Sequence, residues 1–324
     1  MGNKYVLAGD VGGTNLRIAA VSADGAILCQ VSVPTPKTSV AADVAEAIRQ
    51  AAETCVADAG GGQRPLAFGL ALAALVNSRE SRVLSSPNLP ELNDSSLAKT
   101  LSEVLRLHVV LENDATAAAI GEHWLGSSKG VESSVFVTLG TGVGGGLILD
   151  GRVYRGIDGT AGEIGHISVE PDGHPCGCGS HGCLEQYSSA TAIARIAGEL
   201  LQADSASPLK AKAQFSSKDV YDAATAGDPV AVEAFRTMGR YLGIALAGLV
   251  DVLNPELIVI GGGAAGGWDF FIEHVKSEIR ARAFRHPAER VRVVQASLGD
   301  GAGLLGAARV ALDATIDRER LTAM

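Results

Sequence analysis

The sequence has no excess of positive charge and no long apolar run, and these absences exclude two kinds of partner. The 27 Lys and Arg residues are outnumbered by 36 Asp and Glu residues, so the formal net charge is −9. An acidic surface repels a phosphate backbone, and we therefore expect no nucleic-acid partner. The longest apolar helical pattern, residues 242–253, contains Asp251 and is too short to span a bilayer, so we expect no membrane partner. The first residues lack the layout of a signal peptide, which favours a cytoplasmic location.

Cysteine is scarce as well, and its placement excludes a disulfide framework. Three of the five cysteines, Cys176, Cys178 and Cys183, fall within a stretch of eight residues. In a chain without an export signal, such a cluster is more typical of a metal site. Three thiolates and the imidazole of His166 would form a tetrahedral site with no open position, which predicts a structural zinc ion. By spacing, two other histidines are rival fourth ligands: His174 and His181.

Aromatic residues make up only 4% of the chain, whereas glycine reaches 40 residues and is clustered. Such clusters are typical of loops whose backbone approaches a ligand closely. No Gly-Lys-Ser or Gly-Lys-Thr sequence occurs, which excludes a Walker-type nucleotide loop. A strand, a Gly/Thr loop, a second strand and an Asp-Gly turn follow each other twice, around residues 10–15 and around residues 140–146. This repeat predicts a duplicated domain in which each copy supplies one phosphate-binding loop.

Two glycine patterns also match a dinucleotide-binding fingerprint, and their surroundings argue against that function. The pattern at residues 140–145 is followed by an apolar strand, whereas the fingerprint must open a helix. The pattern at residues 261–266 precedes a helix, but no acidic residue ends the following strand to bind a ribose. We interpret this second loop either as a contact with an adenosine or as close packing of a helix on a strand.

The length of 324 residues favours two domains, and the hydrophobic content of 47% is typical of a globular enzyme. Apolar patterns predict strands at residues 4–9, 16–21, 26–33, 66–72, 108–112, 135–139, 147–149 and 290–296. Helical periodicity predicts helices at residues 41–58, 95–107 and 302–319, several more between 189 and 253, and a strand–loop–helix unit at 256–283.

Two aspartates stand at predicted strand ends, and each has a catalytic and a structural interpretation. Asp10 would anchor a hydrated Mg²⁺ on a nucleotide, or it would cap its own turn. The presence of two phosphate-type loops favours the Mg²⁺ anchor. Asp114 would be a general base for an attacking hydroxyl, unless Asn113 or Asp114 is merely the N-cap of the next helix. The local sequence does not separate these two roles, and capping is the commoner one.

Taken together, the motifs resemble those of the ROK family (repressors, open reading frames and kinases), especially its bacterial glucokinases. The resemblance covers nearly the whole chain, with motifs at residues 10–17, 112–115, 139–146, 161–166, 176–185, 254–263 and 302–307. It implies an α/β, actin-like ATPase (ribonuclease H-like) duplicated fold with two lobes and a central cleft. We expect a small lobe of residues 1–113 plus 303–324, and a large lobe of residues 114–302 that carries the zinc-binding loop.

The resemblance also implies a role for each motif residue, with Asp114 as the catalytic base. The residues that would bind the sugar are Asn88, Asn113, Asp114, Glu163, His166 and Glu185. Those that would bind ATP and Mg²⁺ are Asp10, Gly12, Gly13, Thr14, Asn15, Gly140, Thr141, Gly142, Gly262 and Gly263. Structural zinc would be bound by His166, Cys176, Cys178 and Cys183. One ring nitrogen of His166 would then bind the metal and the other the sugar.

The activity implied by the resemblance is ATP-dependent phosphorylation of a hexose, with the 6-hydroxyl of glucose as the expected acceptor. Gly-Glu-Ile-Gly-His at residues 162–166 is closer to glucokinases than to fructokinases, which usually carry Pro-Glu-Met there. Alternative acceptors are N-acetylmannosamine, mannose and fructose. An alternative of another class is a non-catalytic sugar-sensing regulator, although a DNA-binding repressor would need a module ahead of Asp10. Because relatives are usually homodimers, we expect a homodimer here.

One stretch departs from the family pattern. ROK kinases usually read Gly-x-Pro-Gly-x-Val-Asp where residues 71–77 read Ala-Leu-Ala-Ala-Leu-Val-Asn. Ala74 stands where a glycine often lets the backbone approach the sugar, and Asn77 replaces an acid. We therefore expect this stretch to influence which hexose is preferred.

Overall fold

The computed structural model describes residues 4–38, 40–59, 62–201 and 206–322, with side chains up to residue 316. Five strands of the first half have the bounds Tyr5–Val11 (β1), Asn15–Ser22 (β2), Ile27–Pro34 (β3), Phe68–Leu72 (β4) and Val109–Asn113 (β7). They form one sheet in the order β3-β2-β1-β4-β7. Neighbours among β1, β2 and β3 are antiparallel, whereas β4 is parallel to both β1 and β7. Leu75–Asn77 (β5) and Arg82–Ser85 (β6) form a separate two-stranded ribbon.

Five strands of the second half repeat this arrangement. Their bounds are Ser134–Leu139 (β8), Val143–Leu149 (β9), Arg152–Val153 (β10), Leu257–Gly261 (β11) and Arg292–Gln295 (β12). The order is β10-β9-β8-β11-β12, with β10, β9 and β8 antiparallel and β11 and β12 parallel to β8. The two sheets therefore share one topology, which confirms the duplication predicted from the repeated Gly/Thr loops.

Ten helices among the described residues cover the two sheets. Their bounds are Ala41–Asp58 (α1), Leu97–Leu105 (α2), Asp114–Leu125 (α3), Glu185–Ser188 (α4), Ala190–Leu200 (α5), Ser217–Thr225 (α6), Pro229–Leu253 (α7), Trp268–Arg282 (α8), Arg285–Arg290 (α9) and Ala302–Thr322 (α10). Within the part of the chain that the structure describes, none of them combines the length and the apolarity needed to cross a bilayer.

Strand β1 shows why the central strands are apolar throughout. Leu7 packs into the core that includes Ile48 of α1, while Val6 and Ala8 face the core that includes Ala307 of α10. A strand covered on both faces is expected to be continuously hydrophobic rather than alternating. The edge strand β3 has no buried residue along its length.

Helices α3 and α10 connect the two halves. α3 follows β7 of the first sheet but packs on β8 and β9, while α10 follows the second sheet and packs on β1 and β4. The two helices cross in backbone contact: a Cβ at Gly121 would lie 2.2 Å from the Ala302 carbonyl oxygen, and one at Gly306 would lie 1.6 Å from that of Ala117. Only glycine fits at such an approach.

The predicted elements are mostly present, with two differences. Helix α1 has the predicted bounds, and the predicted strands and closing helix are found within a few residues of their expected ends. The predicted loop at residues 140–146 is wrong in extent, because β9 begins at Val143 and the turn is limited to residues 140–142. The β5–β6 ribbon was not predicted. The lobe boundaries remain a prediction, and residues 1–3 and 323–324 of the expected small lobe lie outside the described residues.

Candidate active site

The turn between β1 and β2 forms one wall of a cavity of about 420 Å³. Within the turn, the Gly12 N–H donates to the Asn15 carbonyl at 3.0 Å. Thr35, which follows β3, stabilises the turn with two hydrogen bonds: its N–H donates to the Thr14 carbonyl at 2.9 Å and its hydroxyl donates to the Gly12 carbonyl at 2.7 Å. The residues that line the cavity are Asp10, Gly12, Gly13, Thr14, Asn15, Arg17, Ser32 and Asp300. All five residues assigned to the first nucleotide loop therefore face one cavity.

Asp10 forms an ion pair with Arg17, a residue to which the sequence motifs gave no role. Asp10 and Arg17 are opposite each other in the β1–β2 ladder, and the Arg17 guanidinium lies 2.5 Å from the Asp10 carboxylate. Both line the 420 Å³ cavity. The register of the hairpin, counted outward from its turn, is the signal that could have found Arg17. A partly exposed carboxylate in a cavity of this size is a suitable ligand for hydrated Mg²⁺, which takes few protein oxygens.

The matching turn between β8 and β9 is held by the helices that follow the cysteine cluster. The Ala190 N–H donates to the Gly140 carbonyl at 2.8 Å, and the Thr191 hydroxyl donates to the Thr141 carbonyl at 2.9 Å. Glu185 accepts a hydrogen bond from the Val143 N–H at 3.1 Å. Among the described residues, the predicted nucleotide ligands Gly140, Thr141 and Gly142 line neither the 420 Å³ cavity nor its smaller neighbour around Asp114.

Asp114 is the first residue of α3, and its neighbour Asn113 caps the helix. The Asn113 side-chain oxygen accepts from the Thr116 N–H at 3.0 Å, which leaves the Asp114 carboxylate with the Ala115 N–H at 2.8 Å. The pKa of Asp114 is raised to about 6, mainly by burial and also by the charges of Asp10 and Glu163, while the hydrogen bond from the Ala115 N–H opposes this rise. A carboxylate that titrates near neutrality is suited to accept a proton.

A second cavity, of about 150 Å³, is lined by Asp114 together with residues from both halves of the chain. Asp10 and Asp114 line it together, as do Gly262 of the second half and Asp300, which borders both cavities. Gly263 lies outside this lining and begins the short 3-10 turn that leads into α8. Asp300 was not predicted, since nothing in its local sequence distinguishes it from a loop aspartate.

The remaining predicted sugar ligands fall into two groups, Asn88 beside the first nucleotide turn, and Glu163, His166 and Glu185 near one another. Asn88 packs on the first nucleotide turn, where a Cβ at Gly13 would lie 3.1 Å from its Cβ. Partial desolvation raises the pKa of Glu163, although 44% of its side chain is exposed. His166 lowers this pKa and Glu185 raises it, so these three side chains interact electrostatically. The nearest oxygen of Glu163 lies 3.8 Å from Nε2 of His166.

Two residues of the stretch 71–77, which departs from the family pattern, have structural roles in the core and in a turn. The Ala74 side chain is buried in the apolar core of the first half, while its carbonyl accepts from the Asn113 amide at 3.1 Å. The Asn77 side chain accepts from the Glu80 N–H at 3.1 Å and so stabilises the β5–β6 turn. Ala74 therefore reaches the site through its backbone.

Four donor atoms converge where the zinc site was predicted. Those of His166, Cys176, Cys178 and Cys183 all lie within 4.8 Å of one another. Nδ1 of His166 is 3.7 Å from the Cys176 sulfur, and the sulfurs of Cys178 and Cys183 are 3.6 Å apart. Tetrahedral zinc with bonds of about 2.3 Å to sulfur separates its donors by roughly 3.8 Å, so the residues present fit the ion.

The two rival histidines do not join this group. Nε2 of His174 lies 2.8 Å from the Arg195 guanidinium, which also donates to the Gln186 carbonyl. His181 is absent from the set of converging donors found among the described residues. Of the three histidines considered by spacing, His166 is the one whose ring nitrogen lies within 4.8 Å of the three sulfurs.

A buried ion pair behind the site had no signal in the sequence. Glu112 is 1% exposed, and its carboxylate accepts from the Arg155 guanidinium at 2.7 Å and from the Asn113 N–H at 3.2 Å. Burial raises the pKa of Glu112, and Arg155 opposes this rise. Since Arg155 follows β10 of the second half, the pair joins the two halves directly behind Asn113.

Comparison with known proteins matches this geometry to a family. The profile of the ROK family matches residues 6–314. The glucokinase of Halalkalibacterium halodurans is 36% identical over 312 residues, which cover 94% of each chain. The ROK hexokinase of Thermus thermophilus has a TM-score of 0.82 and 36% identity, covering 97% of this chain and 99% of that one. A ROK glucokinase of Streptomyces griseus, solved with glucose and AMPPNP, has a TM-score of 0.80 and 35% identity over 95% and 99% of the two chains. This chain belongs to the ROK family and has its actin-like fold.

Proposed function

We propose that this chain is an ATP-dependent glucokinase that phosphorylates the 6-hydroxyl of glucose. Glucokinase relatives at 36% identity over nearly the whole chain support this, as does the similarity to a structure that holds glucose and AMPPNP. The observation that carries the proposal is that Asp10 and Asp114 line one cavity between the two sheets. This arrangement suits transfer of a phosphoryl group from one side of the cavity to a hydroxyl on the other.

Asp114 accepts the proton of the attacking hydroxyl. In the transfer, a bond forms between that oxygen and the γ-phosphorus, the bond from this phosphorus to the bridging oxygen of ADP breaks, and the proton moves to the Asp114 carboxylate. With its pKa raised by burial to about 6, Asp114 is mostly ionised at pH 7.5 yet basic enough to take the proton. Such general-base help contributes roughly 10²–10⁴-fold in rate.

The nucleotide side of the site is proposed to be formed by Asp10, Arg17 and the N–H groups of the two hairpin turns. Asp10 would hold a hydrated Mg²⁺, which neutralises phosphate charge when it is bound. Arg17 adds a guanidinium beside the same cavity, where it is able to donate to phosphate oxygens. Backbone N–H groups of a tight turn bind anions in the same way.

The sugar side is proposed to consist of Asn88, Asn113, Glu163, His166 and Glu185. Asn113 is oriented by its bond to the Ala74 carbonyl, and Glu185 by its bond from the Val143 N–H. Structural zinc would be held by His166, Cys176, Cys178 and Cys183, and when bound it fixes the orientation of the His166 ring. Nε2 of His166, on the side facing Glu163, would then be free to bind a hydroxyl.

A coupled ADP-release assay tests the function directly. We expect turnover with glucose to exceed that with mannose, N-acetylmannosamine, fructose or N-acetylglucosamine. A higher kcat/KM for one of the other sugars would reassign the substrate within the same site. Glucose binding without turnover on any sugar would instead indicate the sugar-sensing regulator.

Two further properties belong to this proposal. An enzyme that uses ATP to trap a sugar works in the cytoplasm, which is the location we assign. We also propose a homodimer, and sedimentation at micromolar concentration tests it, since a single species of the monomer mass of 33.1 kDa would contradict it.

A further inference from the structure

Glu122, on the third turn of α3, is a fully buried carboxylate that binds only hydrogen-bond donors. Its side chain is 0% exposed. One carboxylate oxygen accepts from the Ser297 N–H at 3.0 Å and the Leu298 N–H at 2.7 Å. The other accepts from the Ser127 N–H at 2.6 Å and the Ser297 hydroxyl at 3.3 Å. Among the described residues, no ion pair with a basic side chain is recorded for it.

This donor set requires a carboxylate. An ionised carboxylate is acceptor-only and takes several hydrogen bonds at once, whereas the amide of glutamine places donors at half of its positions. Bonds from N–H groups to a charged acceptor are also stronger than neutral ones. Because a buried charge without such bonds is costly, the contacts and the charge depend on each other.

The segment that Glu122 binds leads directly to the nucleotide side of the site. Ser297 and Leu298 are followed by Gly299 and Asp300, which line the 150 Å³ cavity, and Asp300 lines the 420 Å³ cavity as well. The segment then enters α10, whose first residue is Ala302. Glu122 therefore anchors the short link between β12 and α10 without lining either cavity.

Glu122 belongs to the helix that begins with the proposed base. Glu122 lies eight positions after Asp114 on α3, which is about 12 Å along an α-helix. The same rigid element thus presents the proton acceptor at its start and binds the nucleotide-side segment two turns later. We propose that Glu122 is a positioning residue that sets nucleotide affinity by fixing residues 297–300, an inference that rests on the proposed kinase function.

The test is Glu122→Gln, measured as affinity for Mg²⁺-AMPPNP and for glucose by calorimetry and as KM for ATP and for glucose in the turnover assay. We expect the affinity for AMPPNP to fall and the KM for ATP to rise by about ten-fold or more, as expected when charge-assisted hydrogen bonds are lost. The affinity and KM for glucose should change by less than about two-fold.

A second variant displaces the Glu122 carboxylate sterically and leaves its charge unchanged. A Cβ at Gly126 would lie 2.2 Å from a carboxylate oxygen of Glu122, while the φ of −111° at Gly126 is acceptable for alanine. Gly126→Ala should therefore shift Glu122 and reproduce the selective loss of nucleotide affinity. It carries the test if Glu122→Gln does not fold.

The control is Glu256→Gln, at an exposed carboxylate remote from the cavities. Glu256 also accepts two backbone N–H groups, from Glu132 at 3.2 Å and Ser133 at 3.3 Å, but it precedes β11 at the end of the sheet away from Gly261. This control should leave both affinities unchanged. Equal losses for both ligands, or an unchanged AMPPNP affinity in both test variants, would overturn the proposal. A wild-type chain that binds AMPPNP without turnover would refute the kinase function, while the binding measurements would still decide the role of Glu122.

Discussion

Replacement of Asp114 by asparagine distinguishes a catalytic base from a helix residue. The amide keeps the size of the side chain, and its oxygen is able to accept from the Ala115 N–H, which lies 2.8 Å from Asp114 Oδ1. It cannot accept a proton, so we expect kcat to fall at least about 100-fold with only a modest change in the KM for glucose. The coupled ADP-release assay at saturating ATP measures both parameters.

The pKa of Asp114 gives the same variant a distinct effect on stability. Burial raises this pKa from 3.8 to about 6, so the native state binds the proton more tightly than the unfolded chain does. The stability contributed by this group is therefore fully present below pH 3.8 and is lost as the pH rises through about 6. Two pKa units correspond to at most about 3 kcal/mol, which solvent screening of the partly exposed carboxylate reduces. Asp114→Asn should thus melt higher than wild type at pH 8, by more than it does at pH 5.

A pH profile completes the test. Because only the ionised carboxylate accepts a proton, wild-type kcat/KM for glucose should rise with pH through a pKa of about 6 and then level off. The residual activity of Asp114→Asn should lack this acid limb. Near-normal turnover combined with a lower melting temperature at every pH would refute the reasoning, because Asp114 would then only support the helix.

Three further perturbations test other parts of the molecule. Elemental analysis of protein purified without added metal should find one zinc per chain, and Cys178→Ser should lose both the zinc and the affinity for glucose. A wild-type protein that is folded and active without metal would contradict the zinc site. Gly306→Ala places a Cβ 1.6 Å from the Ala117 carbonyl oxygen and should lower the free energy of unfolding, measured by denaturation, by about 1–3 kcal/mol or more. The control Gly248→Ala on α7, where a Cβ meets nothing within 4 Å, should raise it slightly. Arg155→Met leaves Glu112 buried without its cation and should lower the free energy of unfolding by about 3–5 kcal/mol. The double variant with Glu112→Gln should recover most of this loss, whereas additive losses would show that the pair is not coupled.

Local patterns were sufficient to predict the elements whose residues face a core at regular spacing. Helix α1 is predicted to its ends because Val44, Ile48, Ala52 and Cys55 recur at helical spacing and are all buried. The duplicated topology was predicted for a similar reason, since each half begins with two apolar strands joined by a Gly/Thr turn. These features depend on residues close together in the chain.

The extent of the second glycine loop could not be predicted from the local sequence, because two of its glycines are required for close packing against helix α3. Gly144 and Gly146 lie inside β9, where added Cβ atoms would lie 2.7 Å and 2.5 Å from the Cβ atoms of Ala115 and Ala119 on α3. They are glycines because a helix packs directly on the strand, whereas the pattern alone is typical of a turn. The partners of Glu122 and Glu112 are equally remote: Ser297 is 175 residues from the first, and Arg155 is 43 residues from the second.

The exchange of helices between the halves explains why the site needs the duplication. Asp114 follows β7 of the first sheet, yet its helix packs on the second, and α10 makes the reverse connection. The first turns of both helices meet at the cleft: a Cβ at Gly303 would lie 3.5 Å from a carboxylate oxygen of Asp10 and 3.8 Å from the Asp114 carbonyl. Asp10 comes from the first sheet and Gly262 from the second, and both line the cavity that Asp114 faces. Neither half contains the cavity by itself, so the crossing at Gly121 and Gly306 that holds the two halves together is also what assembles the proposed active site.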